Sequence, residues 1–438
     1  MLGARSIPAL ALLAAAAACG PAERTGEATA PRELPAELRP GRWSPAPTGA
    51  PSPDLTAEQL AEIERLHAVG YAAGVRAVPA FTSVTVHDPA RAHQGLNLFT
   101  SGHGTEAILM DMDGAVLHRW SYDYGRLWPE HEVPPDAPGR GKWRRAWPYP
   151  NGDLLAIHEA IGLIKLDRDS RLLWEYPGRT HHDLHVLADG TIWVLTREVG
   201  LVPRVNPEKP TADDHLVRLD ADGRELSRLS LLESLERGAA AGRPGVEELL
   251  ARLPDEGILL HTNSVEPVDA SLSERLPAAT PGHLLISFRE LDAIAIVDPE
   301  AGELTWALTG SFVAQHHPTV VDGGNLLLFD NLGPGDGVSA VFEIRPESGE
   351  LVWEYRGDDR SPFYSWCCGT TYRLPNGNTL ITETDGGRAF EVTPEREIVW
   401  EFYNPHRAGA ALEYIASLYD LQRLPLDYGA EWLASVGD

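Results

Sequence analysis

The chain has 438 residues, 43% of them hydrophobic, and carries 37 Lys+Arg against 64 Asp+Glu, a formal net charge of -27. Its apolar content can fill one large core or two ordinary ones, so length alone leaves the domain count open. The acidic excess repels phosphate backbones and argues against nucleic acid as a partner.

The first residues, "MLGARSIPALALLAAAAACG", place one early cation, Arg5, before an apolar run from Ile7 to Ala18 that ends at Cys19. The run is too short to span a bilayer as a stable helix but fits an export signal over residues 1–19. The small residues before Cys19 resemble a bacterial lipoprotein cleavage site, with Cys19 as the lipidated first residue of the mature chain. Ordinary cleavage after an Ala-x-Ala is the alternative. Both readings export the protein to the periplasm or cell surface, and the first adds membrane contact through a lipid anchor. Residues 20–54 are rich in Pro, Ala, Gly and charge and cannot pack a core, so they read as a tether.

The next segment, "LTAEQLAEIERLHAVG", spaces Leu55, Leu60, Ile63, Leu66 and Val69 as one amphipathic face, with Thr56 as N-cap and Gly70 as stop. This predicts a helix within residues 55–75. From residue 76 to the C-terminus the pattern is strand and turn, closing in a C-terminal tail.

Within that region one unit recurs: a Gly turn, an apolar strand, a loop, a second strand, an Asp/Pro/Gly turn, then a strand ending in Trp and another aromatic. Copies begin at Asn151, Asp189, Gly282, Gly323 and Asn376, and a less regular one begins at Gly95. Six antiparallel copies predict an all-β fold, a six-bladed β-propeller. A short strand before each copy would be the innermost of its blade. The repeat tryptophans Trp174, Trp306, Trp353 and Trp400 read as blade packing.

Counting back from the turn glycines Gly190, Gly324 and Gly377 puts His182 of "HHDLHVLADG", His316 of "QHHPTVVDGG" and Gly369 of "CGTTYRLPNG" at one level. "HTNSVEPVD" adds His261 and Asn263, which share a strand face. Arg197, Arg289 and Asn331 lie equally far after Gly190, Gly282 and Gly324. In an antiparallel hairpin the start of the first strand meets the end of the second, so all these residues are expected at one mouth of the channel. His317 falls on the other face of its strand, and His158, His215, His283 and His406 read as hydrogen-bonded structural histidines. Cys367 and Cys368 read as buried thiols, with a vicinal disulfide as the alternative, and are assigned no chemistry.

The series "HHDLHVL", "HTNSVEP", "SFRELDAIAIVD" and "QHHPTVVDGGNLLLFDN", with "PNGNTLITE" and "GRAFEVTPEREIVWEFYNP", resembles the bacterial arylsulfate sulfotransferases, propeller enzymes independent of nucleotide sulfate donors, over roughly residues 75 to 405. The resemblance implies ping-pong transfer of a sulfuryl group from an aryl sulfate donor to a phenolic acceptor through a sulfohistidine. It implies His316 as nucleophile, with His261, Asn263 and Arg289 around it. His181 or His182 is the remaining histidine, and register favours His182. Arg289 and Asn263 would hold the sulfate oxygens, and a protonated second imidazole would serve the leaving phenolate. Arg197 and Asn331 are candidate substrate contacts. Trp143, Trp147 and Tyr149 are candidates for an aryl-binding wall.

The N-terminal region is shorter than the extra β-domain of the best-studied members, which leaves the oligomeric state open. A predicted helix in "VEELLARLPDEG", just before His261, would flank the mouth. Two rival readings are a metal-dependent propeller enzyme using the histidines and a non-catalytic, lipid-tethered binding propeller. Arg289 opposes the first, because a fixed cation favours an anion over a metal, so no metal or other cofactor is expected.

Overall fold

In the computed structural model, residues 55–67, 72–123, 125, 127, 141–310, 312–333 and 337–433 are described. The export signal, Cys19 and the tether lie outside them. The first described element is the helix Ala57–His67. A reciprocal capping box opens it: Thr56 Oγ1 accepts from Gln59 N at 3.1 Å, and Gln59 Oε1 accepts from Thr56 N at 2.9 Å.

The rest is mainly β: six sheets of four or five strands, antiparallel but for one added strand, a small three-stranded sheet of Arg76–Ala77, Tyr414–Ile415 and Arg407–Ala408, and a few short helices. Sheet one runs Leu418–Leu424, Leu96–Ser101, Glu106–Met110, Val116–Ser121. Sheet two runs Trp143–Pro148, Leu154–His158, Gly162–Leu166, Leu172–Tyr176. Sheet three runs Thr180–Val186, Ile192–Val202, Asn206–Leu219, Glu225–Ser230, with Gly257–Ile258 added in parallel. Sheet four runs Thr262–Pro267, Leu284–Phe288, Ala293–Asp298, Glu303–Thr309, and sheet five His316–Val321, Asn325–Asp330, Ala340–Ile344, Leu351–Arg356. Sheet six runs Thr370–Arg373, Thr379–Glu383, Arg388–Val392, Ile398–Tyr403, with Ser83–His87 on its outer edge.

The first strands of successive sheets touch one another in a closed cycle, and the cycle is completed by Leu418–Leu424 meeting both Thr370–Arg373 and Trp143–Pro148. The C-terminal segment, expected as a tail, therefore supplies the innermost strand of sheet one. Its alternation of Leu418, Tyr419, Asp420 and Leu421, all buried, explains why: such a strand needs neighbours on both faces.

Apolar second and third strands fill the space between sheets, as in "LLAIH" and "AIAIVD", where nearly every residue is buried. Four tryptophans each tie one sheet to the next. Trp120 Nε1 donates to Gly152 O at 2.8 Å, Trp174 to Ala221 O at 3.0 Å, Trp353 to Pro394 O at 2.9 Å and Trp400 to Met112 O at 2.9 Å. Ala221, Pro394 and Met112 lie in the turn before the fourth strand of the following sheet, and Gly152 in the turn after the first strand of sheet two. Two helices, Leu231–Ala240 and Val246–Arg252, form the insertion before His261 and pack on the Glu303–Thr309 strand.

Candidate active site

His316 opens the first strand of sheet five and is 1% exposed. Its Nδ1 lies 2.7 Å from Asn331 Oδ1 and 3.0 Å from the Ala314 carbonyl. Both are acceptors. Asn331 is locked in that orientation, because its Nδ2 donates to Ser365 O at 3.0 Å and to Cys368 O at 2.9 Å. The His316 proton therefore sits on Nδ1, and Nε2, which has no hydrogen-bond partner among the described residues, presents a lone pair. Burial, with the Arg289 and Arg144 charges next in weight, holds this imidazole well below its usual pKa, so it is neutral at neutral pH. Asn331, 0% exposed with its amide fully engaged, orients the histidine rather than meeting substrate.

In sheet four, His261 stands just before the first strand, with Asn263 two residues on. Burial brings His261 down to about 4, although Glu290 Oε1 lies 3.2 Å from its Nδ1. The same carboxylate oxygen accepts from Arg289 Nη1 at 2.7 Å. Burial would raise Glu290, but His261 and Arg289 outweigh it and pull it to about 2. Asn263 Nδ2 donates to the Gln315 carbonyl at 2.8 Å, fastening the residue before His316, and leaves its Oδ1 without a partner among the described residues. The buried Oδ1 can accept from a hydroxyl, while Nδ2, which gives one of its two hydrogens to Gln315, keeps the donor capacity expected of it.

The third histidine position is in sheet three. The His182 ring lies 5.2 Å from that of His261, and His181 Nδ1 is 2.8 Å from His182 Nδ1. His181 turns its Nε2 towards Asp214, at 3.4 Å, and Asp214 also accepts from Arg197 Nε at 2.7 Å. Arg197 is thereby committed to an ion pair at the edge of the cluster. Burial, then His181 and Arg144, press His182 well below its usual pKa. Desolvation and neighbouring guanidinium groups both press against the charged forms of His182 and His261, against the protonated second imidazole that was expected.

Residues His182, His261 and His317 have φ of 54°, 51° and 50°, uncommon for side chains with a Cβ. His317 Nδ1 faces Thr371 O at 3.1 Å and its ring packs on Tyr372, away from His316. At the matching level of sheet six, Gly369 has φ 97°, and an added Cβ would come within 2.6 Å of the Phe329 ring.

The expected aromatic wall is not formed by Trp143, Trp147 and Tyr149. Trp143 is fully buried in the core between sheets one and two, donating to His158 Nε2 at 2.9 Å. Trp147 and Tyr149 lie at the turn end of the same strand, against His185 and Lys165 respectively, at the end opposite the histidines. The segment's contribution to the site is cationic instead. Arg144 reaches Glu159 Oε2 at 3.8 Å, and Glu159 accepts from His182 N at 3.2 Å. Lys142 donates to Tyr419 Oη at 2.6 Å and burial lowers it to about 8. The sequence reading missed both Arg144 and Glu159, yet its own count contains them. Arg144 is eight residues before Gly152, as His182 and His316 are before Gly190 and Gly324. Glu159 is seven after Gly152, as Arg197 and Arg289 are after Gly190 and Gly282.

A family model described as arylsulfotransferase (ASST) matches residues 150–405. No curated protein gives a significant match. Among solved structures, a protein of unknown function from Bacteroides caccae is similar at 15% identity and TM-score 0.46, covering 71% of this chain and 94% of that one. A streptogramin B lyase is similar at 15% identity and TM-score 0.42, covering 78% and 93%. The WD40 β-propeller domain of Doa1 is similar at 12% identity and TM-score 0.40, covering 77% and 88%.

Proposed function

The chain belongs to the arylsulfotransferase family, and from that membership we propose that it moves sulfuryl groups from aryl sulfate donors to phenolic acceptors through a sulfohistidine at His316. The observation that carries this reading is the bare Nε2 of a neutral, buried imidazole whose Nδ1 proton is committed to Asn331 and Ala314.

In the first half-reaction His316 Nε2 attacks sulfur, the S–O bond to the aryl group breaks, and the phenolate departs with the bonding pair. Arg289 and Arg144 are the cations that balance charge building on the sulfuryl oxygens. In the second, the acceptor oxygen attacks sulfur, the N–S bond breaks and Nε2 recovers its lone pair. The phenolic proton passes to a neutral imidazole, His182 or His261, each with a carboxylate beside Nδ1 to stabilise the cation formed. Asn263 Oδ1 can accept the acceptor's hydroxyl while it docks. One pocket serves donor and acceptor in turn, as ping-pong transfer requires.

The six sheets form the blades of a single propeller in this reading. The chain is exported and held at a membrane through lipid on Cys19. The test is incubation with 4-nitrophenyl sulfate and a phenol, with nitrophenol release followed by absorbance and the His316 peptide examined for an added sulfuryl group. Release with label on His316, both lost in His316→Asn, is expected. Turnover that persists in His316→Asn would overturn the assignment.

A second reading is favoured by one observation: Glu159, His181 and His182 bring ligand atoms within 4.8 Å of one another. It makes the channel a metal site, and one equivalent of tightly held metal lost in His182→Ala would replace the sulfohistidine reading.

A further inference from the structure

A second cluster of metal-ligating side chains lies outside the channel, where the ring of sheets is closed. His103 and Glu106 belong to the turn and third strand of sheet one. His406 belongs to the segment that leaves sheet six after Ile398–Tyr403 and runs to the closing strand Leu418–Leu424. The ligand atoms of the three lie within 4.8 Å of one another. His103 Nε2 is hydrogen-bonded to Glu106 Oε1, and the His103 and His406 rings are stacked at 3.6 Å with an interplanar angle of 8°.

The partners behind these groups are those that a metal ligand needs. His103 Nδ1 is hydrogen-bonded to the buried Ser101 Oγ, which fixes the ring and directs Nε2 into the cluster. Glu106 Oε2 accepts from Arg119 Nη1 at 3.0 Å, which orients the carboxylate so that Oε1 faces His103. His406 N donates to Asn404 Oδ1 at 3.1 Å and its carbonyl accepts from Ala416 N at 3.1 Å, so its backbone is pinned on both sides. His103 and Glu106 keep side-chain exposures of 12% and 19%, enough for an ion to arrive from solvent.

We propose that His103, Glu106 and His406 bind a divalent first-row metal of the zinc class and staple the first sheet to the segment that closes the ring. Two imidazoles and one carboxylate favour zinc over calcium or magnesium, which prefer all-oxygen shells. Three protein ligands leave a fourth position to water. An ion about 2.1 Å from both imidazole nitrogens cannot lie in the planes of two stacked rings. Binding therefore turns His406 out of the stack and replaces the His103–Glu106 hydrogen bond.

The test is titration of the full-length, metal-stripped protein with zinc chloride, followed by calorimetry, metal analysis after dialysis and thermal melting. One equivalent per chain is expected, together with a rise in melting temperature. His406→Ala and Glu106→Gln are each expected to weaken binding about 100-fold or more and to abolish the thermal shift. Ser101→Ala, which removes only the supporting hydroxyl, should cost about 10- to 100-fold. His182→Ala should bind zinc as the unaltered protein does. Absence of saturable binding overturns the proposal. So does binding that survives His406→Ala and Glu106→Gln but is lost in His182→Ala, which would put the metal in the channel.

Discussion

At His316 two acceptors decide which nitrogen carries the proton. The Ala314 carbonyl can only accept, and Asn331 is oriented by two carbonyls of the 365–368 loop, so both groups hold the proton on Nδ1. Replacing Asn331 by Ala removes the nearer of the two acceptors and leaves the ring held by the Ala314 carbonyl alone. It should lower kcat about 10²-fold with KM little changed, measured by steady-state kinetics on protein shown to melt normally. Asn331→Asp tests the same contact through pH. A carboxylate beside Nδ1 raises the pKa of His316, so the imidazolium form persists to higher pH and activity is lost at a higher pH on the acid side than in the unaltered enzyme. An unmoved acid limb would remove His316 from the chemistry or Asn331 from its control. How far such residues can be read from sequence is shown by the turn-glycine count: it contains His182, His316, Arg144 and Glu159 alike, but the last two depart in residue type from the His and Arg that hold these levels in other copies. The tautomer was not legible, since it depends on carbonyls 34 and 37 residues away in the chain from Asn331.

The innermost strands are joined below the histidines by buried charges rather than by hydrogen-bond ladders alone. Arg145 meets Asp183 at 3.0 Å and Asp420 at 3.2 Å and donates to Tyr372 Oη at 2.8 Å, linking four sheets across the axis. Arg145→Leu would strand two buried carboxylates and should destabilise the fold by about 3–5 kcal/mol, seen as a lowered urea midpoint. Glu266 accepts from Val320 N at 3.0 Å, joining sheets four and five, and burial pushes it up to about 8. The folded chain thus keeps a proton on Glu266 between an unfolded value near 4.5 and about 8. Its contribution is complete at low pH and is lost as pH rises through that window. Glu266→Gln keeps the acceptor and removes the titration. Its urea midpoint should match the unaltered protein at pH 5 and exceed it at pH 8, with an unfolding free energy higher by on the order of a few kcal/mol at most. Strand order and Trp positions could be read from period and turn signals. These cross-axis links could not, because each joins residues whose proximity exists only after the ring closes.

Closure itself sets the stability of the whole molecule. Sheet one is built from both ends of the chain: Leu418–Leu424 pairs with Leu96–Ser101, while Ser83–His87 adds to sheet six beside Ile398–Tyr403. The N- and C-terminal parts therefore overlap across adjacent sheets, and Trp400 of sheet six donates to Met112 O of sheet one. The C-terminal strand was read as a tail because the rest of its repeat, from Gly95, lies at the other end of the chain; its place follows from the unpaired edge that Leu96–Ser101 would otherwise present. Chains ending at residue 403 lose the buried Leu418, Tyr419 and Leu421, each worth about 1.5–3 kcal/mol, together with the Tyr419 contacts of Lys142 and Arg144. Such a chain should show no single cooperative melting transition, whereas one ending at residue 433 should melt with the full-length protein. Adding a peptide of residues 404–433 in trans should restore cooperative melting, because the strand is held by pairing and burial and needs no covalent link. Restoration by a peptide with Leu418 and Leu421 changed to Asp would show that the closing strand does not act by filling the ring.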